Sequence, residues 1–527
     1  MATLGSEPIQ ASSCHPEQAE SFTREADQPL LPNWAWCRRW CRVRFALTVV
    51  FVALVGSPAL AEVAPAPGRH LAGEYVSLSQ HPRVFTTQAE LGELAARIGS
   101  AGSYSAQRFG QLTSQIMRDL AARNDWGATY SGCNIKTYLY AFSYEPQDGG
   151  YLRTLQSDLQ LAPSVTPPAG AAVVASRLAL YAALVKAGAP VTMNAPDVGK
   201  VVALAKRILV AWGTRGFRDG HEGILSSSAQ FCLDNGKIDE FSRTQVGLQI
   251  SRGIIYSVQA EDLLIYLEAL DRTETQRLDE FHRAMYRLVR NALNYNFAEH
   301  GGWACDCYSN HAASELTALL AVARLVDDIS SFNAALYGGE GADAVTLPWT
   351  GYFERVIYGK AAVPNECYVN TGGDGLSSRP FFQTATVVAG EIDDRYRNGN
   401  PLQGIGYPMA SLERLFDTAE LLRIAGYDPY GYRGAHGQSI EEATEFYACY
   451  ANRAGFGKVI TAENAGDCRN PAQYVGKIVS GVDRLVMIGA FRFPTNAAIL
   501  QAEQSAKRAG STGPFALDAI LFGRWRD

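Results

Sequence analysis

Apolar positions recur along this chain at intervals of three and four, the spacing of a helix face, far more often than in the alternation of a half-buried strand. In "HPRVFTTQAELGELAARI", Thr87 and Glu90 have the form of a helix capping box, and Leu91, Leu94 and Ile98 follow as an apolar stripe. Phe109, Leu112, Ile116 and Leu120 make the next stripe, so two helices are predicted back to back. "AAVVASRLALYAALVKAG" and "DVGKVVALAKRILVAWG" continue the pattern, with Gly188 and Gly213 expected as their stops. Val246, Ile250, Ile254, Val258 and Leu264 stay roughly in phase along a further helix. Thr273 with Gln276, and Ser439 with Glu442, are expected as two more capping boxes, and "NHAASELTALLAVARLV" and "PMASLERLFDTAELLRIAG" read as helices between them.

Extended β-branched runs are scarce, the best being "GKVITA" and "DRLVMIGAF" near the end, which argues against a parallel α/β sheet. Paired helices over residues 81–455 must bury their stripes on one another. The expected fold class is all-α: an incomplete (α/α) toroid of helical hairpins in a single large domain, with loops at one face around a cleft. No fixed sequence period supports a solenoid. Residues 456–527 are expected to complete or cover the toroid.

The N-terminal region changes the picture. "RRWCRVR", the apolar run "FALTVVFVALVG" and "SPALA" match the basic, hydrophobic and small-residue parts of a secretory signal. Residues 1–44 are read as a disordered or spurious extension with the basic region, 45–61 as the hydrophobic and cleavage regions, and 62–80 as a Pro-Ala linker. The rival reading, an uncleaved anchor, meets an apolar run of about a dozen residues where a bilayer span needs ~20. The expected location is periplasmic or secreted, with no stable membrane span after cleavage. Seven of the ten cysteines lie beyond Ala61, an odd number, so at least one is expected to stay unpaired or to bond between chains. The "CDC" at Cys305 and Cys307 lacks a matching Cys or His pair at finger-like spacing, so no metal site is expected. The net charge of −6 gives no general attraction to nucleic acid, and a polyanionic substrate would need a locally basic cleft. Oligomeric state is not legible.

Three loops carry polar groups that packing does not explain. "EHGGWACDCYSNHAASE" holds Trp303, Tyr308, Asn310 and His311 at the mouth of a helix whose N-terminus attracts anions. "TGGDGLSSRPFFQ" is the second, and "EIDDRYRNGNPLQGIGYPMASLER", with Arg395, Arg397 and Tyr407, is the third. His221 in "FRDGHEGILSS" is a further candidate for the cleft wall, and Trp303 and Tyr308 are candidates for stacking on sugars. An amide, an imidazole, guanidinium groups and a phenol suit β-elimination from a uronic-acid polysaccharide. The C5 proton becomes removable once the adjacent carboxylate is neutralised, and no metal or organic cofactor is needed.

"SNHAASELTALLAVARLVDD", "GYPMASLERLFDTAELLRIAGYD" and "EEATEFYACYA" resemble segments of the alginate lyases of the helical-toroid type, and the "HPRVF" opening has a more distant likeness to heparinase-type lyases. The resemblance implies that Asn310 and His311 neutralise the carboxylate, with His311 also a candidate base. It implies that Tyr407 protonates the leaving oxygen and is a candidate base as well, and that an upstream arginine, Arg397 before Arg395, assists. Arg397 lies further from Tyr407 than the family's arginine does, and Ser309 stands where the family has a first Asn. The family's early Lys and Tyr have no clear counterpart, although "NIKTYLY" offers Lys136 and Tyr138.

Blander roles compete: His311 as a capping histidine, Tyr407 as a core tyrosine, and Arg395 and Arg397 as surface partners of Asp393 and Asp394. Two other functions stay open. One is a glycoside hydrolase using a carboxylate pair such as Asp306 and Asp374. The other is a polysaccharide-binding or export protein without catalysis.

Overall fold

The first helix forms as its capping pattern requires. In this computed structural model α1 (Gln88–Ile98) opens at Thr87, whose hydroxyl accepts from the Glu90 N–H while the Glu90 carboxylate accepts from the Thr87 N–H at 2.9 Å. α1 buries Leu91, Leu94 and Ile98, and α2 (Tyr104–Ala121) buries Phe109, Leu112 and Ile116. The structure describes residues 70–122, 124, 139–143, 149–158, 161–165, 169–215, 240–294, 310–360, 387–394 and 405–508. By its contacts the chain divides into Met1–Ala66 and Pro67–Asp527, and all described residues belong to the second unit.

After a short α3 (Gly149–Asp158), α4 (Ala171–Lys186) ends at the expected stop, Gly188, with φ +103°. α5 (Val198–Arg215) runs through Gly213, which was expected to end it. That glycine serves packing: a Cβ there would lie 2.5 Å from Leu278 Cδ2. α6 (Glu240–Tyr266) and α7 (Arg272–Asn294) pack as a hairpin. The box of α7 is Asp271 with Glu274 rather than Thr273 with Gln276, and each backbone N–H donates to the other's carboxylate at 2.8 Å. Asp caps at least as well as Thr, so the helix starts earlier than the Thr-based reading.

α8 (Asn310–Leu325), α9 (Ile329–Tyr337), α10 (Trp349–Val356) and α11 (Gly406–Ile424) follow. α12 (Ile440–Ala454) has half of its expected box: Ser439 accepts from the Glu442 N–H, but the Glu442 carboxylate pairs with Arg469. The chain then forms a one-turn α13 (Ala462–Ala465), α14 (Val482–Arg492) and α15 (Ala497–Arg508). "DRLVMIGAF" lies within α14, and "GKVITA" makes only an isolated bridge between Val459 and Ile478. Among the described residues there is no strand, and the fold is all-α.

α4, α6, α8 and α11 form a row in which each packs on the next. Every residue of α8 is buried, as a helix apolar nearly all round requires. α7 lies outside this row and is two-faced: Leu278, Met285 and Leu288 face inward, while Arg283 and Arg287 face water. α8 and α11 run parallel, since Asn310 and Ser411 bond the same carboxylate at their starts and the Thr317 and Thr418 hydroxyls meet at 2.8 Å further along. α6 shares that direction. Asp262 near its C-terminal end accepts from the Arg83 N–H, and the Arg83 guanidinium donates to the Leu325 carbonyl at the C-terminal end of α8.

Residues from His70 onward, expected as linker, form a strap over those C-terminal ends. Val76 N–H donates to the Ala425 carbonyl at 2.9 Å, Arg324 donates to the Val76 carbonyl at 2.7 Å, and His81 Nδ1 lies 2.6 Å from Asp262. The first two helices touch later ones: Arg423 of α11 pairs with Glu90, Arg97 lies over the Phe491 ring at 5.7 Å, and Lys507 lies over the Tyr104 ring at 5.1 Å. A disulfide joins Cys449 to Cys468; Cys133, Cys232, Cys305, Cys307 and Cys367 lie outside the described residues. Among the described residues no helix is long and apolar enough to cross a membrane.

Candidate functional site

The parallel run of α6, α8 and α11 gathers their N-terminal halves at one end of the row, and the polar side chains collect there. Asn310, the first residue of α8, donates its backbone N–H to Asp394 at 3.0 Å and its amide Nδ2 to the same oxygen at 2.8 Å. Ser411 of α11 donates to that oxygen at 3.0 Å. Asp394 is thus the anion at the N-terminus of α8, a place that the sequence reading left for a ligand. The Asn310 amide oxygen faces Arg252 of α6, whose Nη2 lies 3.4 Å away. His311 follows Asn310 in the first turn and is 7% exposed. Tyr407 is half-buried one turn before Ser411, on the same face of α11. Asn310, His311 and Tyr407 therefore sit on the opening turns of two parallel helices joined through Asp394.

No family model and no curated protein matches this chain.

Charge is layered behind these turns. Arg484 of α14 pairs with Glu413, and Arg414 lies 3.0 Å from Glu413 and 2.7 Å from Asp417. Burial pushes the Glu413 carboxyl up, but Arg484, Arg414 and Arg252 outweigh it and hold it below its ordinary value. Burial and then the charge of Asp394 push the Tyr352 phenol well up, so that it stays protonated beside the site, although a hydrogen bond with Ser411 pulls the other way. Gly247 of α6 faces the same region, where a Cβ would lie 1.9 Å from Glu315 Oε1. The close approach of α6 to α8 needs a glycine there.

"EIDD" departs furthest from the surface role read for it. Asp393 and Asp394 are fully buried: Tyr358 donates its hydroxyl to Asp393, and Asp394 binds Asn310 and Ser411. Glu391 accepts from the Tyr474 hydroxyl at 3.0 Å and from Asn470 at 2.9 Å. The donors to these carboxylates come from α8, from α11 and from the loop positions Tyr358, Asn470 and Tyr474. Trp303, Tyr308, Arg395, Arg397 and His221 lie outside the described residues, as do Asp306, Asp374, Lys136 and Tyr138. The guanidinium that the structure brings to Asn310 is Arg252, which sequence reasoning missed; its signal was a lone cation in "GLQISRGIIY".

A second buried polar set lies between α6 and α7. Ser257 Oγ is 2.8 Å from His282 Nε2, and His282 Nδ1 is 2.7 Å from Glu261. This is the residue set of a nucleophilic triad, but all three members are fully buried, and Ser257 also donates to the Ile254 carbonyl at 3.1 Å. Burial lowers the His282 imidazole to about 4 and pushes Glu261 well up, with Asp279 and Asp262 adding to the rise in Glu261. The His282 imidazole is therefore neutral in the fold near pH 7. Among the described residues no group of three or more His, Cys, Asp or Glu is placed to hold a metal.

Proposed function

We propose that this protein is an exported polysaccharide lyase that cleaves a uronic-acid polymer, alginate or a related one, by β-elimination on an incomplete (α/α) toroid. The observation that carries this reading is the junction at Asp394, which sets Asn310 and His311 beside the opening turn of α11 that bears Tyr407, with Arg252 adjoining. The toroid reading rests on the row of parallel inner helices and on the contacts of α1 and α2 with α11, α14 and α15. The Cys449–Cys468 disulfide fits an oxidising compartment, periplasmic or external.

In this scheme Arg252 and the second amide hydrogen of Asn310 neutralise the uronate carboxylate, so that the carbanion formed at C5 is stabilised in place. His311 takes the C5 proton, and the C5–H electron pair forms the C4–C5 double bond. The C4–O bond breaks, and Tyr407 protonates the departing oxygen. Asp394 touches no substrate and holds Asn310.

The test is ultraviolet absorbance with purified protein against alginate blocks, polyglucuronate, heparan and other uronate polymers. A rise is expected on at least one polymer. Tyr407→Phe should cut that rate by roughly 10²- to 10⁴-fold while oligosaccharide binding persists. New reducing ends without absorbance would mean hydrolysis, and saturable binding without either product would mean a non-catalytic protein.

A further inference from the structure

A separate cleft opens on the outer face, where α7 crosses the junction of α8 and α9, and its cavity is about 180 Å³. At ~30 Å³ per water this holds several waters, enough for a tetrahedral oxyanion or a sugar carboxylate. It lies far from the candidate site. Val322, on its wall, is ~18 Å along α8 from Asn310 at ~1.5 Å per residue.

The cleft is lined by Arg283, Arg287 and Arg290, which the helical repeat of α7 places on one face. Like charges at that spacing repel, so the stripe favours a counter-ion. Two carboxylates share the cleft. Arg283 lies 3.4 Å from Asp328, and Arg290 lies 2.6 Å from Asp343. Neither answers Arg287, which among the described residues makes no ion pair. Asp343 is also a loose partner, its side chain 75% exposed against 10% for Arg290. The Arg290 Nε is buried without a hydrogen-bond acceptor among the described residues. Asp328 and Ser331 belong to the capped N-terminus of α9, which adds the positive end of a helix to the same space.

We propose that this cleft is an oxyanion-binding site in which Arg287 and Arg290 grip a carboxylate, sulfate or phosphate group. The group is carried either by a free anion or by an acidic sugar chain. Arginine suits it because its planar fork meets two oxygens at once. The site does not depend on the lyase reading, since its readout is binding and not turnover.

The test is calorimetric titration of the full chain with inorganic phosphate, sulfate and a short uronate oligosaccharide, for the wild type, Arg287→Ala, Arg290→Lys and the exposed control Arg118→Ala. Arg287→Ala removes an exposed side chain and should leave the melting temperature unchanged. It should weaken binding by about tenfold or more, Arg290→Lys should weaken it through loss of the fork, and Arg118→Ala should leave it unchanged. Arg287-dependent binding of phosphate or sulfate but not the oligosaccharide identifies a free-anion site. Arg287-dependent binding of the oligosaccharide identifies an outer contact for an acidic chain. Binding of any ligand that Arg287→Ala and Arg290→Lys leave unchanged, or no binding to the folded wild type, overturns the proposal.

Discussion

His282 and His311 make a useful pair, because both are buried helix residues and they differ in what surrounds them. His282 sits between Ser257 and Glu261 with no exposed surface, in a set that resembles catalytic machinery by residue type alone. His311 keeps 7% of its surface and stands on the first turn of α8, beside Asn310 and the opening turn of α11. The triad-like set joins α6 to α7, and the Asn-His pair opens α8. On the proposed lyase reading, access separates them: a nucleophile and base without a path for substrate only fill hydrogen-bonding needs.

Turnover gives the largest expected contrast. His311→Ala should lower the rate of double-bond formation by roughly 10²- to 10⁴-fold in protein that stays folded. Under the same assay His282→Gln should leave turnover near wild type and lower stability instead. If His282→Gln abolishes turnover in a protein that stays folded, the comparison is wrong.

Asp394→Asn should give the next effect. It removes the charge that accepts from the Asn310 N–H, the Asn310 amide and Ser411, and denaturant unfolding should show a loss of about 2–4 kcal/mol. Turnover should fall as well, because Asn310 loses its anchor, and the pH profile of the remaining activity should keep its shape.

A pH-dependent stability difference sharpens the buried side of the pair. The His282 imidazole is lowered to about 4 in the fold, from an ordinary value of 6.5. Below pH 6.5 the unfolded chain takes up a proton that the fold refuses, so this contribution is present above 6.5 and is lost as the pH falls toward 4. Over that window the stability difference between wild type and His282→Gln should shrink by roughly 3 kcal/mol. Glu261 is raised and acts in the opposite sense, but it is present in both proteins. Parallel curves would mean that His282 is protonated in the fold.

Much of the helical plan was legible from local pattern. The Thr87–Glu90 box, the stripes at Leu91, Leu94 and Ile98, and the stop at Gly188 depend on residues within a turn or two of one another. Gly213 does not end α5 and Thr273 does not cap α7, because the deciding contacts are made with Leu278 and by Asp271. The Asn310–His311 pair was visible as an unusual dipeptide, whereas Arg252 and Asp394 were not. Their link to Asn310 crosses long stretches of chain, and a single sequence carries no signal of that pairing.

By itself, then, the sequence determined that the chain is helical, where several helices begin, and which polar dipeptide stands at the start of α8, since these follow from periodicity and capping. Only the tertiary structure decided that α6, α8 and α11 run parallel, that "EIDD" turns inward, and that Arg252 reaches Asn310. Those outcomes depend on donors and acceptors distant along the chain, which meet only when the helices pack.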